Sequence, residues 1–428
     1  MSRKAGCTGT VYRLRDPGVL VRIKGLPPLP ATVYELEKQR CHLCGTLFTS
    51  PAPEGVGEDK YDETAASMIA LLRYGAGFPF KRLETLEGHI GIPLPASTQW
   101  EIVEKAAGAL QPAFEALIDA AAQGEVLHND DTPMKILELM AENATDAHPP
   151  DRKGMFTSGI IARCEAHLVA LFFTGRHHAG ENLQRVLAKR ATALGAPIQM
   201  CDALSRNLPG ELKTILAHCL AHGRRRFVEV IDNFPEQCEY ILECLAEVYR
   251  NDAKARHDKL SPAARLTWHQ RHSAPVMAAL NEWFDAQLEH KTVEPNSGLG
   301  EAISYMQNHW EALTLFLREP GAPLDNNICE RALKKAIIHR KNSLFYKTQN
   351  GARVGDLYMS LIHTAELCQI NPFEYLCALQ RHGDNVKRDP GQWMPWNYQQ
   401  TLKGITTERP DRTLGRTSAS PPPLGTSP

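Results

Sequence analysis

An α/β fold is predicted for this chain by three features of its sequence. The stretch EVLHNDDTPMKILEL, residues 125–139, reads as an apolar strand ending in two adjacent carboxylates, Asp130 and Asp131. A Thr132-Pro133 turn and a second strand-like run, MKILELM, follow it. Next come FTSGIIARC and HLVALFFTG as strands, AGENLQRVLAKR as a helix and PIQMCD as another strand. From about 211 to 385 the pattern turns almost wholly helical. Three consecutive strands, a helix and a parallel-type strand fit a ribonuclease-H-like core, with later helices inserted between its parts.

Taken in order, residues 1–55 form a small zinc-ribbon-like module of short strands and turns. VYRL, VLVRI and TVYELEKQRC are its strand candidates, separated by DPG and GLPPLP. Cys41-His42-Leu43-Cys44 has the form of a metal knuckle. A zinc ribbon needs four ligands, and upstream only Cys7 offers one, so Cys41, Cys44 and Cys7 are the candidate Zn²⁺ ligands. Two half-buried thiols in a turn would give the same pattern.

Residues 56–123 read as helices. DETAASMIALLRYG carries apolar residues at helical spacing, and PFKRLETLEGHIGIPLPASTQWEIVEKAAGAL reads as helix, turn, helix, with Ser97-Thr98 as a cap. Such a pair suits either a DNA-binding helix-turn-helix or a packed linker domain. The core's first part spans 124–229, a helical insertion 230–318 and the core's last part 319–385. FPEQCEYILECLAEVYRNDAKAR and APVMAALNEWFDAQLEH are the insertion's long amphipathic helices. Residues 386–428 end in a Pro-, Ser-, Thr- and Gly-rich tail, TERPDRTLGRTSASPPPLGTSP, and are expected to be largely disordered.

Composition narrows the function classes. Hydrophobic residues make up 43% and charged residues 23%, which is ordinary globular usage. No run of 18 apolar residues suggests a membrane span, and the start lacks the apolar core of a secretory signal. Eleven cysteines without such a signal point to a reducing cytoplasm. The formal net charge is -1, so a nucleic-acid surface would have to be a local basic patch.

Acidic residues at the tip of a central strand suit divalent cations and phosphate chemistry. Asp202 closes PIQMCD as Asp130 closes the first strand, although CDALSRN is also good turn chemistry. A third candidate, Glu330, lies near a helix start in LDNNICERALKKAIIHRKNSLFYKT. Asn327 as N-cap with Glu330 three residues on would equally make a capping box, and Glu330 with Lys334 an exposed ion pair. ILAHCLAHGRRRFVEVI is expected to be helical, with His218 and His222 on one face, Cys219 between them and three arginines after; these could hold a metal, but no further ligand has an obvious place. Arg224, Arg225, Lys334, Arg340 and Lys341 are candidate DNA phosphate contacts.

Four stretches together carry a family resemblance: TVYELEKQRCHLCG, VLHNDDTPMKIL, CLAHGRRRF and DNNICERALKKAIIHRKNSLF. From about residue 10 to 385 the sequence resembles transposases of the insertion sequence 66 family, a bacterial group of the DDE class. The family pattern His-x-Asp-Glu-Thr-Pro reads here as His128-Asn129-Asp130-Asp131-Thr132-Pro133. Asp130 thus takes the catalytic position and Asp131 replaces a glutamate; Asp202 and Glu330 become the second and third acids. The resemblance implies two Mg²⁺ (or Mn²⁺) ions held by these three, and DNA strand cleavage and joining at element ends and in target DNA. It also implies a cytoplasmic homo-oligomer, at least a dimer, with accessory proteins of the same element as further partners and no membrane. Relatives of this kind begin with a helical segment and a full four-cysteine module. Here Lys4 stands where a cysteine is expected, so the chain reads as a shortened copy. A DNA-binding remnant, or a nuclease that cuts without joining, are the alternatives on the same residues.

Overall fold

A computed structural model describes residue 22 and residues 26–57, 59–145 and 152–407. Apart from Arg22, the expected strands VYRL and VLVRI lie outside the described residues, as does Cys7. Of TVYELEKQRC, only β1 (Lys38–Arg40) is a strand. It pairs antiparallel with β2 (Leu47–Thr49), and the Cys41–Cys44 knuckle turns between them.

Three helices follow: α1 (Glu63–Ala70), α2 (Phe80–His89) and α3 (Ala96–Ala122). Asp62 caps α1, its carboxylate accepting from the N–H groups of Thr64 and Ala65. The expected Ser97-Thr98 cap falls inside α3, which starts after Pro95. Buried Gln99 donates to the carbonyls of Phe80 and Leu94, fixing α2 against α3. On α3, Val103, Ala107, Leu110, Phe114 and Leu117 recur at helical spacing and enter the main hydrophobic core.

The sheet begins with β3 (Val126–Pro133). The second strand-like run after it is not a strand: Ile136 makes a single bridge with Tyr346, and α4 (Leu137–Thr145) follows. Ile136, Leu139 and Met140 are also spaced for a helix, and with β4 already on β3 no neighbour remains to extend the run as a strand. Next come β4 (Phe156–Cys164), β5 (His167–Gly175), α5 (Ala179–Leu187) and β6 (Ile198–Cys201), all near their expected positions. A fifth strand, β7 (Ile215–His218), stands where a helix was expected. Only α6 (Leu220–Val230) is helical there, because ILAH is drawn into parallel pairing with β6. The sheet order is β5-β4-β3-β6-β7. β3 is antiparallel to β4 and parallel to β6.

Alternation along β3 sends Leu127 to the main core and Val126 to a second one. The second core is built by α6, α7 (Pro235–His257), α9 (Ala274–Glu289), α10 (Gly298–Asn308) and α11 (Trp310–Leu313), with α8 (Pro262–His272) connecting α7 to α9 outside it. The chain returns to the sheet as α12 (Asn327–Ser343), α13 (Gln349–Leu367) and α14 (Pro372–Arg381). Here α13 covers β5, where Asp356 accepts 2.6 Å bonds from Thr174 N–H and hydroxyl. The expected disorder does not begin at 386: α15 (Gly383–Arg388) and α16 (Tyr398–Thr407) follow, and Trp393 between them is buried in the main core. Residues 408–428 lie outside the described part.

Candidate active site

Asp130 does not close β3: the strand runs through the expected Thr132-Pro133 turn to Pro133 because β4 stays paired with it. Asp130 lies on the same face as His128, just past the last residue paired with β6, while Asp202 directly follows β6. Since β3 and β6 are parallel neighbours, both carboxylates stand at one edge of the sheet. Glu330 lies in the first turn of α12, which packs across β3 and β4. Gly159, the partner of Asp130 on β4, makes that approach possible. A Cβ there would stand 3.0 Å from the Leu333 side chain, while the Cys329 thiol donates to the Gly159 carbonyl at 3.3 Å.

Burial first, then the negative charges of Asp202, Asp131 and Glu330, push the Asp130 carboxyl up to about 7, against a hydrogen bond from the Asp131 N–H that holds it down. The three acids do not form one tight cluster, however. Among the described residues, the group whose ligand atoms fall within 4.8 Å of one another is Cys219, His222 and Glu330. His222 Nε2 is 3.8 Å from Glu330 Oε1.

Neighbouring amides hold these acids in place. Asp130 Oδ1 accepts from the Asp131 N–H at 2.8 Å, and Asn207 donates to Asp202. Asn129 and Gln199 both donate to the Asn207 carbonyl, at 2.8 and 2.7 Å, and Gln199 also reaches Asn129 at 2.9 Å. This buried network ties β3, β6 and the loop bearing Asn207 together. Gly180 lets α5 press on that loop, since a Cβ there would meet the Leu208 carbonyl. Asp131 points the other way, paired with His178 at 2.7 Å and with Arg206 at 3.7 Å.

The capping box expected at Asn327 is not formed. The N-cap is Asn326, and its side chain makes no cap bond. Buried Asn326 instead donates to the Asn129 carbonyl at 3.1 Å and lies 3.1 Å from His128 Nδ1. Burial lowers His128 to about 4, so this histidine is a neutral anchor. Glu330 faces His222 and makes no ion pair with Lys334. His218 and His222 do not share a helical face: His218 ends β7 against the His309 ring, and His222 is on α6.

The candidate phosphate contacts divide. Arg224, Arg225, Lys334 and Lys341 are exposed. Arg340 is half-buried, bonded to the Thr132 hydroxyl at 3.0 Å and to the Pro133 carbonyl, so it clamps the end of β3. Arg224, Arg225 and Arg250 line a groove of about 680 Å³ with Tyr249 and Asn327. At the knuckle, Cys44 lies 3.0 Å from the Thr46 hydroxyl, and hydrogen bonds from Thr46 lower its thiol to about 7. Among the described residues no third metal-ligating side chain joins Cys41 and Cys44.

Cys219 stands out in the sequence beside His218 and His222, but with no further ligand in view; the sequence reading missed Asn207 and Asn326, which carry no local signal. No helix among the described residues is long and apolar enough to cross a membrane.

The model of the transposase IS66 family matches residues 60–354, a span that includes Asp130, Asp202 and Glu330. The uncharacterized protein y4jD of Sinorhizobium fredii is 26% identical over 422 residues, covering 92% of this chain and 78% of that protein. Uncharacterized protein y4hP of the same organism is 26% identical over 391 residues, covering 85% and 67%. The chain spans 62% of a third relative, uncharacterized protein y4qI, at 26% identity. With most of its length matched in this way, the chain belongs to the IS66 family of transposases.

Proposed function

We propose that this protein carries out metal-dependent cleavage and strand transfer of the DNA of an insertion sequence. The reading rests on the topology that brings Asp130 of β3 and Asp202, just after β6, to one edge of the sheet and lays α12, with Glu330 in its first turn, against β3. The strand order supports it. Counted in chain order within the large sheet, the strands run 3-2-1-4-5, which fits a ribonuclease-H-like core, with the α7–α11 helices between the second and third acids.

The donor set suits Mg²⁺ or Mn²⁺. Asp130, Asp202 and Glu330 offer only oxygen, and their mutual repulsion favours positive charge between them. These three would hold two such ions. When bound, divalent cations supply a more acidic attacking water and charge stabilisation for the phosphoryl transition state. The chain's own groups do the positioning. Asn207 orients Asp202, the Asp131 N–H orients Asp130, and Arg340 fixes the end of β3. Arg224 and Arg225 on α6 and Lys334 and Lys341 on α12 would hold DNA phosphates without reading sequence. No Ser or Tyr nucleophile is assigned, since water and then a DNA 3′-OH are the attacking groups. Synapsis of two DNA ends calls for at least a dimer, assisted by accessory proteins of the same element.

The test is a supercoiled plasmid bearing the DNA that flanks this gene, incubated with the full chain and Mg²⁺. Cleavage and joined products are expected, and Asp130→Ala abolishes both while DNA binding persists. Nicking without joining would make the protein a nuclease. Binding without metal-dependent cleavage would make it a DNA-binding remnant. Either result overturns the proposal.

A further inference from the structure

We propose that Cys219, His222 and Glu330 form a second metal site, selective for a thiophilic transition ion of the zinc class. Cys219 caps the N-terminus of α6 directly after β7, and His222 follows one turn later. Glu330 reaches the same point from α12, and the three ligand atoms lie within 4.8 Å of one another.

Spacing suits an ion better than a hydrogen bond. The 3.8 Å between His222 Nε2 and Glu330 Oε1 is too long for a direct bond. Ligands held at about 2.0–2.3 Å around a tetrahedral ion stand roughly 3.3–3.7 Å apart. Glu330 Oε1, which faces His222 Nε2 across this gap, is buried without a hydrogen-bond partner, which is costly unless something fills the gap. Burial pushes the Cys219 thiol up to about 11, so it is protonated without an ion, while the Asn326 N–H donating to the sulfur at 3.2 Å and the backbone N–H groups of His222 and Ala221 oppose that shift in part.

Access and selectivity follow from the ligands. Cys219 is fully buried, but the His222 and Glu330 side chains are 25% and 29% exposed, so an ion can arrive from solvent on their side. Sulfur and imidazole select zinc-class ions over Mg²⁺, which prefers oxygen alone. Binding displaces the Cys219 thiol proton to solvent. Three protein ligands leave one position open. Glu330 thereby links two centres. On the function proposed above, an ion held here keeps Glu330 from Asp130 and Asp202, and zinc-class ions inhibit the magnesium-dependent reaction.

The test uses the full chain with Cys41→Ser and Cys44→Ser, which removes the knuckle thiols, titrated with Co²⁺. One equivalent should bind with a cobalt–thiolate absorption band that Zn²⁺ displaces. The band should vanish in Cys219→Ser, and affinity should fall at least tenfold in His222→Ala. Using both variants keeps the outcome decisive if one fails to fold, which a thermal melt reveals. Asp130→Asn should retain the band. No band, or a band that survives Cys219→Ser, overturns the site. In a separate DNA-cleavage assay, micromolar Zn²⁺ should slow the parent more than Cys219→Ser, each measured against its own zinc-free rate; equal slowing overturns the competition. Should no cleavage occur with any metal, the proposed function fails, while the cobalt titration still decides the site.

Discussion

Replacing Asp130 with asparagine removes a charge that the metal-free fold disfavours, so Asp130→Asn should stabilise the protein. Burial and three nearby carboxylates raise the Asp130 carboxyl from 3.8 to about 7. The folded chain therefore binds this proton more tightly than the unfolded chain. The stability this confers is complete below about pH 4 and is lost as the pH rises through about 7. At pH 8 the ionised group costs the fold on the order of 4 kcal/mol, falling to about 1 kcal/mol at pH 4.5. Asparagine keeps an acceptor for the Asp131 N–H and carries no charge. Urea denaturation of metal-free protein at the two pH values reads the difference directly. The variant should gain several kcal/mol at pH 8 and roughly 1 kcal/mol at pH 4.5. Added Mg²⁺ should narrow the gap at pH 8, because it binds the parent and stabilises it by mass action. An advantage independent of pH, or none, would refute the claim that burial and neighbouring carboxylates disfavour the Asp130 charge.

Three further outcomes are expected. Gly159→Val should destabilise by about 1–3 kcal/mol, because the Leu333 side chain must retreat and lift Glu330 away from β3; thermal melts and metal uptake check this together. Asn326→Ala leaves the Asn129 carbonyl and His128 without a buried partner and should cost about 1–3 kcal/mol by urea titration. The pair Arg224→Ala and Arg225→Ala should weaken DNA binding evenly across sequences and reduce the salt-dependence slope by about 2, measured by fluorescence anisotropy over a salt series.

The sequence exposed most of the sheet and only part of the site. β4, β5 and β6 were legible because their apolar runs are bounded by turn residues and buried within the sheet. β7 was not, since ILAHCLAHGRRRF keeps helical spacing across a strand–helix boundary, and only pairing with β6 breaks it. Trp393 is held by packing against helices distant in sequence, which tail composition does not reveal. At the site, Asp202 could be found as a strand-end carboxylate, and Asp130 by its place after an apolar strand run, although β3 continues three residues past it. Glu330 had a competing role as a capping residue, which fails because Asn326 spends its side chain on Asn129 and His128. The meeting of Cys219 and His222 with Glu330 joins residues over a hundred positions apart, so C-x-x-H spacing alone could not show what completes it.

The central claim is that Asp130, Asp202 and Glu330 serve one divalent-metal centre. The most direct measurement counts Mn²⁺ bound to the full chain by loss of the free-ion electron paramagnetic resonance signal. Uptake is expected in the parent, and it should collapse in Asp130→Asn, Asp202→Asn and Glu330→Gln alike, with each variant still folded. Undiminished uptake in any one of the three would contradict a shared centre.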